Sequence, residues 1–175
     1  MKKLLIVVDY QKDFVTGSLG NPHAAAIEER ICEKIRRFRS AGDDIAFTFD
    51  THHPDYLQTQ EGRLLPVTHC MEHENGWRLT DAVDALRQSQ DRCFCKECFG
   101  SAALFDFLRG VSYESIELVG VVTNICVISN AVLAKTASPE TPVTVDAACC
   151  ASNDPVLHEK ALDVMQSLQI QVINR

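Results

Sequence analysis

The chain has 175 residues, 46% of them hydrophobic, and a formal net charge of −7, which predicts one domain, residues 1–175, with a sizeable core. The negative charge argues against nucleic acid and anionic membranes as partners, and no apolar stretch approaches the roughly 20 residues of a membrane span. The apolar run after Met1 is too short for a signal peptide, so we expect a soluble, cytoplasmic protein whose cysteines are reduced.

The chain alternates between two sequence patterns. Short runs rich in Val, Ile and Leu are typical of buried parallel strands, and segments with apolar residues at helical spacing follow them. Predicted strands cover residues 3–8, 44–49, 91–95, 115–122, 142–146 and 169–173, and predicted helices cover 24–39, 102–109, 127–136 and 155–168. Residues 52–80 show no clear periodicity and are predicted to form a long loop, which is usually functional. The alternation predicts an α/β fold with three layers, α-β-α, around a mostly parallel sheet of about six strands.

Cys126 lies where the fourth predicted strand gives way to a helix. The strand ends at a Thr-Asn pair, Thr123 and Asn124, and the helix begins at once. Backbone N–H groups at a helix N-terminus are unpaired and favour an anion, which lowers the pKa of a cysteine thiol. The same groups can hold the oxyanion of a tetrahedral intermediate. Cys126 is therefore predicted to be a nucleophile, the alternative being a small buried side chain at a tight turn.

Titratable side chains follow four predicted strands in succession. Asp9 follows the first strand, Asp50 and His52 the second, Lys96 the third and Cys126 the fourth. Ligands bind beyond the carboxyl ends of parallel strands, so we expect these groups to meet at one rim. A carboxylate beside a thiol can take its proton, and a nearby ammonium stabilises the resulting anions. We predict Asp9 as general base and Lys96 as its electrostatic partner, against the alternatives of a turn residue and a solvated surface charge.

Three motifs at these positions resemble those of the isochorismatase-like cysteine hydrolases, a family that includes the nicotinamidases. They occur in the family's order and at similar spacing, as LIVVDYQKDF at 5–14, KECFGS at 96–101 and GVVTNICV at 120–127. The resemblance implies that family's fold and a catalytic triad of Asp9, Lys96 and Cys126. It also implies a cis peptide bond between Val122 and Thr123, beside the oxyanion site that these two residues and Cys126 would form.

A second group of polar residues begins at the end of the second predicted strand. Asp50 and His52 are two residues apart, on one side of an extended segment, and His69 follows in the long loop. The set resembles the ligands of metal-binding nicotinamidases, and Glu61 lies where some members carry a further carboxylate. Two imidazoles and a carboxylate suit a divalent transition metal, zinc first and iron or manganese as alternatives. The competing interpretation is a capped turn at Asp50 and His52.

The resemblance implies a small carboxamide substrate, nicotinamide first, that is cleaved through an acyl-thioester on Cys126. Nicotinamidases commonly carry an aromatic residue and a proline ahead of the distal histidine, and Leu65 stands in place of that aromatic residue here. Phe14 and Tyr10 are predicted to contact the substrate instead, with Trp77 as a further candidate.

Other functions stay open on the sequence alone. Hydrolysis of an N-carbamoyl amide or of an isochorismate-type substrate belongs to the same family, and a non-catalytic member would use the same rim to bind a ligand. The cysteine favours amide chemistry, because isochorismatases can dispense with it. We also expect a homo-oligomer.

The remaining cysteines allow a different interpretation. Cys93, Cys95 and Cys98 lie close together in sequence, and Cys149 and Cys150 could complete a zinc site. Structural zinc sites generally use paired Cys-x-x-Cys knuckles, however, so we predict reduced thiols that pack against neighbours. The remaining histidines are predicted to lie on the surface or in loops, at positions 23, 53, 73 and 158.

Overall fold

The computed structural model describes all 175 residues and contains one sheet of six strands. The strands are β1 (Leu4–Val8), β2 (Asp44–Asp50), β3 (Arg92–Lys96), β4 (Ile116–Val121), β5 (Val143–Ala151) and β6 (Gln171–Ile173). Their order across the sheet is β3-β2-β1-β4-β5-β6, and every neighbouring pair is parallel. The central pair is therefore β1 and β4, and β3 is an edge strand.

Helices cover both faces of this sheet. They are α1 (Lys12–Val15), α2 (Pro22–Ala26), α3 (Glu28–Ser40), α4 (Gln60–Leu64), α5 (Asp81–Asp84), α6 (Ala102–Gly110), α7 (Ile128–Ala137) and α8 (Pro155–Ser167). None of them combines the length and the apolar character that a membrane crossing requires.

Strand β1 shows how the core divides into two halves. Leu5 and Val7 belong to one buried cluster together with Ile31 and Ile35 of α3. Ile6 belongs to a second cluster, which includes residues of α6, α7 and α8. Successive side chains of a strand point to opposite faces, so a strand covered on both faces needs a continuous apolar run. Each fully buried aliphatic side chain contributes about 1.5–3 kcal/mol. The predicted three-layer arrangement is confirmed.

The predicted strands are confirmed, with differences at their ends, and so are the predicted helices apart from 24–39, which is interrupted at Ile27 and forms the two helices α2 and α3. Strand β5 continues to Ala151 and β6 begins only at Gln171. Residues 52–80 do not form one loop, because they contain a 3-10 helix at Tyr56–Gln58 and helix α4. The Thr59 side chain caps α4 by accepting a hydrogen bond from the Gly62 N–H. These turns are too short to produce a hydrophobic period, so sequence patterning missed them.

Strand β4 approaches β1 closely at Gly120. Its φ is +121°, and a Cβ atom there would collide with the carbonyl oxygen of Val8. The pairing of β4 with β5 shifts in register between Leu118 and Gly120. Only glycine combines this backbone conformation with so close an approach, and the end of β4 depends on both.

Candidate active site

The carboxyl ends of four neighbouring strands bring the predicted catalytic side chains to one rim. Asp9 directly follows β1, and Lys96 ends β3 opposite Asp50 at the end of β2. Cys126 lies in a π-helical turn, Thr123–Val127, between β4 and α7; we call this segment the nucleophile turn. Asp9 has a φ of +46°, a left-handed conformation that aspartate tolerates better than most residues.

Lys96 is the centre of the site. Its Nζ lies 2.7 Å from Oδ2 of Asp9, 3.0 Å from Oδ1 of Asp50 and 3.5 Å from Sγ of Cys126. The hydroxyl of Thr48 donates a hydrogen bond of 2.6 Å to Oδ1 of Asp9. The side chains of Lys96 and Asp9 are 1% and 0% exposed, and Cys126 is buried. One ammonium therefore contacts the candidate base, the candidate nucleophile and a second carboxylate away from water.

Burial has the largest single effect on the pKa values of Asp9, Cys126 and Lys96. It raises the pKa of the Asp9 carboxyl against the attraction of Lys96. It also raises the pKa of the Cys126 thiol well above its usual value, with Asp9 adding to the shift and Lys96 opposing it. Burial disfavours the Lys96 ammonium, but Asp9, Cys126 and Asp50 together raise the pKa of Lys96. The expectation of a lowered thiol pKa is therefore wrong, because desolvation of the sulfur outweighs the helix terminus. With this raised pKa the Cys126 thiol is protonated at rest, so a base must take its proton before the sulfur can act as a nucleophile.

Asp50, His52, Glu61 and His69 form a second cluster beside the first. Each side chain offers one ligand atom, and these atoms lie within 4.8 Å of one another. Oδ2 of Asp50 is 3.1 Å from Nε2 of His52 and 3.3 Å from Nε2 of His69. Oε1 of Glu61 is 3.8 Å and 3.9 Å from the same nitrogens. Asp50 therefore faces Lys96 with one oxygen and this metal-ligand cluster with the other.

The donor set fits a divalent metal. Nδ1 of His69 lies 2.8 Å from the carbonyl oxygen of Val67, so this nitrogen holds the proton and Nε2 presents its lone pair to the cluster. Burial and the charge of Asp50 raise the pKa of Glu61, and a bound cation would relieve that repulsion. Burial also acts on Asp50, but its contacts with His52 and His69 and the charge of Lys96 outweigh burial and hold the carboxyl pKa well below its usual range. Two imidazoles and two carboxylates are ligands of zinc, iron and manganese.

A cavity of about 670 Å³ opens beside the metal-ligand cluster. His52 and Glu61 form part of its polar wall. Ile125, which precedes Cys126, lies in its apolar wall together with Phe99. A cavity lined by both apolar and polar side chains is typical of a small-molecule site.

The aromatic residues that were predicted to contact a substrate lie in different surroundings from one another. The ring of Phe14 packs edge-on against that of His69, with 5.6 Å between the centroids. Tyr10 is fully buried, and its hydroxyl donates a hydrogen bond of 2.6 Å to the carbonyl of Ala24. The prediction of Tyr10 as a substrate contact is wrong, because its side chain turns into the core beneath α2. Neither Phe14 nor Trp77 lines the cavity itself.

The cis peptide bond lies one residue earlier than the resemblance implied. It joins Val121 to Val122, and not Val122 to Thr123, because β4 ends at Val121. The N–H groups of Ile125 and Val127 both donate to the carbonyl of Val122, which closes the nucleophile turn.

Two uncharged polar residues that sequence patterns did not single out support the acidic side chains. Gln11 is fully buried; its Oε1 accepts from the N–H of Asp50 and its Nε2 donates to the Asp50 carbonyl. The Thr48 hydroxyl donates to Oδ1 of Asp9 and accepts from the backbone N–H of Asp9. A polar residue inside or next to a buried apolar run is the signal that identifies both.

Two further contacts hold the nucleophile turn, one from α8 and one from the residue that follows β5. Oγ1 of Thr123 lies 2.8 Å from Nδ1 of His158, and Ser152 Oγ donates a hydrogen bond of 2.6 Å to Oδ1 of Asn124. The prediction of His158 as a surface or loop residue is wrong, because it lies within α8 with its side chain 17% exposed.

The other cysteines form neither a disulfide nor a metal site. Cys93, Cys95 and Cys98 are free and exposed, on or just beyond β3. Cys149 and Cys150 are free and buried in β5, across the sheet from β3. The prediction of packing thiols is confirmed for the pair in β5 and wrong for the three exposed cysteines, because an edge strand leaves them uncovered.

Comparison with known proteins shows the family to which the chain belongs. Residues 3–175 match the family model of the isochorismatase domain. An uncharacterised isochorismatase family protein of Bacillus subtilis (strain 168) is 31% identical over 144 residues, which are 75% of this chain and 78% of that protein. The crystal structure of a nicotinamidase/pyrazinamidase from Bacillus subtilis is 29% identical, with a TM-score of 0.88 over 98% of this chain and 99% of that one. A pyrazinamidase of Pyrococcus horikoshii in complex with zinc is 26% identical, with a TM-score of 0.84 over the whole of both chains. The chain therefore belongs to the isochorismatase family of hydrolases.

Proposed function

We propose that this hydrolase is an amidohydrolase that converts a small carboxamide, nicotinamide first, to the acid and ammonia through an acyl-thioester on Cys126. The observation that carries the proposal is the position of Lys96, whose Nζ contacts both Asp9 and Cys126. Asp50 of the metal-ligand cluster contacts Lys96, and the cavity wall includes the chain neighbours of Lys96 and Cys126. The similarity to the Bacillus subtilis nicotinamidase/pyrazinamidase supports a carboxamide as the substrate.

The first half of the reaction forms the thioester. Sγ of Cys126 attacks the carbonyl carbon of the amide while Asp9 takes the thiol proton, and its raised pKa makes Asp9 a stronger base than an exposed carboxylate. Lys96, 3.5 Å from the sulfur, stabilises the negative charge that develops there. Backbone N–H groups at Val122, Thr123 and Cys126 are the proposed donors to the oxyanion.

The second half releases both products. Asp9 returns the proton to the amide nitrogen, the C–N bond breaks, and ammonia leaves the acyl-thioester. A water molecule then attacks the thioester carbonyl and gives a proton to Asp9. The C–S bond breaks, the acid leaves, and the thiolate of Cys126 recovers the proton from Asp9. This cycle restores both side chains.

We infer that Asp50, His52, Glu61 and His69 hold zinc, since the Pyrococcus horikoshii relative is described in complex with zinc; iron and manganese suit the same donors. When bound there, the metal supplies a Lewis acid that can hold a ring nitrogen of the substrate. Phe14, edge-on to His69, is the proposed aromatic neighbour of that ring.

The test is the release of ammonia from a panel of amides by purified protein supplied with zinc. We expect wild-type protein to hydrolyse nicotinamide and pyrazinamide. Cys126→Ala removes the nucleophile and is expected to reduce turnover by at least about 10³-fold. Cys32→Ala is the matched control, because Cys32 is also a buried thiol, on α3 outside the site, and it should keep wild-type turnover.

Three results would contradict parts of this proposal. Turnover by Cys126→Ala within about tenfold of wild type would exclude the thioester route. Hydrolysis of an N-carbamoyl amide or of isochorismate, but not of nicotinamide, would change the substrate and leave a hydrolase. Binding of nicotinamide without turnover of any amide by wild-type protein would indicate a non-catalytic member.

A further inference from the structure

Asn130 connects the two segments that carry Lys96 and Cys126. It lies in α7, one helical turn after Cys126, and its side chain is fully buried. Its Nδ2 donates to the carbonyl oxygens of Cys126, at 2.8 Å, and Phe99, at 3.1 Å. Its Oδ1 accepts a hydrogen bond of 3.0 Å from the backbone N–H of Ser101. Both N–H groups and the carbonyl of the amide are therefore occupied.

This side chain is unfavourable for the helix that contains it. Asparagine has a low helix propensity, and a buried amide is destabilising unless its polar atoms are paired. The partners of Asn130 lie on segments far apart in the chain: residues 99–101 follow Lys96 beyond β3, whereas Cys126 precedes α7. A fully paired buried polar group specifies one arrangement of its neighbours. Asn130 therefore sets the spacing between these segments.

We propose that Asn130 is a positioning residue for the hydrolysis, holding residues 99–101 and the nucleophile turn so that Lys96 stays in contact with Cys126. The inference rests on the proposed function, in which the Lys96 ammonium stabilises charge on the sulfur. Asn130 contacts neither the sulfur nor the cavity, so it acts through the backbone of its partners. Electrostatic stabilisation depends on this spacing, and a displacement of about 1 Å can reduce a rate by about 10²-fold.

The first experiment compares two alanine variants in neighbouring positions of α7. Asn130→Ala removes the link to residues 99–101. Ser129→Ala is the matched control, because Ser129 Oγ donates only to the carbonyl of Ile125 one turn earlier, at 2.6 Å. For nicotinamide hydrolysis we expect kcat of Asn130→Ala to fall by roughly 10- to 100-fold with KM within about twofold of wild type. Ser129→Ala should keep the wild-type kcat.

A second readout needs no substrate. The rate at which iodoacetamide alkylates Cys126, followed by mass spectrometry of the peptide that contains it, reports how far Lys96 favours the thiolate. We expect alkylation to be several-fold slower in Asn130→Ala and unchanged in Ser129→Ala. Asn130→Thr serves if the alanine variant does not fold, because threonine can bond the carbonyl four residues back but does not reach residues 99–101. It should lose kcat and alkylation rate to a similar degree.

An unchanged kcat and alkylation rate in a folded Asn130 variant would overturn the inference. Equal losses in Ser129→Ala would do the same, since they would show that any weakening of α7 suffices. A rise in KM at constant kcat would indicate substrate binding in place of positioning. If wild-type protein hydrolyses no amide, the proposed function fails, and the alkylation comparison still decides whether Asn130 positions the thiol.

Discussion

Replacing Lys96 by methionine tests the electrostatic account of the site. Methionine fills a similar space, so the change mainly removes the ammonium that contacts Asp9 at 2.7 Å and Asp50 at 3.0 Å. Removing one partner of a buried ion pair destabilises a protein by about 3–5 kcal/mol, a large share of the total of about 5–15 kcal/mol. We expect the free energy of unfolding of Lys96→Met to fall by that amount at pH 7, and turnover to fall by at least about 10²-fold.

The pH dependence of this loss has a defined direction. Burial already raises the pKa of Asp9, and removal of the ammonium raises it further. The folded variant then holds a proton that the unfolded chain, whose aspartate pKa is about 3.9, has released. Stability therefore falls as the pH rises between these two pKa values. The deficit at pH 5 should be smaller than at pH 7 by up to about 2.7 kcal/mol, since one proton is worth about 1.36 kcal/mol per pH unit.

Urea unfolding at pH 5 and pH 7, with reductant and chelator present, measures these free energies. Lys34→Met is the matched control, because Lys34 on α3 has a side chain 10% exposed and contacts Glu117 and Asp146 at 2.6 Å each. Both variants should be destabilised, but only Lys96→Met should lose turnover per folded molecule. The reasoning is refuted if Lys96→Met loses less than about 1 kcal/mol, if its deficit is the same at both pH values, or if its turnover stays near wild type.

The remaining predictions concern the metal and the base. His52→Ala and His69→Ala should each reduce bound zinc from one per chain toward zero after dialysis, as measured by elemental analysis. His73→Ala is the control and should still bind one zinc, because the His73 side chain is 82% exposed. Full zinc binding by His52→Ala or His69→Ala would exclude the metal-ligand cluster as the zinc site. The rate constant kcat/KM should fall as the pH is lowered through the raised pKa of Asp9, since a protonated carboxyl cannot accept the thiol proton. A pH profile with its acid limb at or below about pH 4, the usual range of a carboxyl, would count against Asp9 as the base.

The sheet and the rim could be predicted because their determinants are local. A strand covered on both faces must be apolar throughout, as β1 is, and parallel strands must end at the same edge. Asp9, Lys96 and Cys126 therefore meet as a consequence of topology alone. Asp50 could be placed for the same reason, since it pairs with Lys96 across two neighbouring strands.

What could not be predicted depends on side-chain direction and on burial. Tyr10 follows Asp9 directly, yet the turn after β1 sends its ring into the core. His158 and Asn130 act on segments distant in sequence, and no local pattern reveals such contacts. The pKa of Cys126 depends on the desolvation of its sulfur. The cis bond was misplaced by one residue because its position came from the resemblance to the family's motif and not from a pattern in this sequence. The homo-oligomer and the contact of Phe14 with a substrate stay predictions.

Lys96 lies on an edge strand of the sheet, whereas Asp9 and Cys126, which it contacts, follow central strands. Asp9 and Cys126 follow the central strands β1 and β4, whereas Lys96 ends β3, which pairs only with β2 and has three of its five residues exposed. Segments at the edge of a sheet open locally at a lower free energy than its centre. We expect an opening of β3 to take the ammonium away while the base and the thiol stay in place. Hydrogen exchange at the β3 amides would then report the fraction of molecules that are folded but inactive. We expect activity to be lost on warming before the sheet as a whole unfolds.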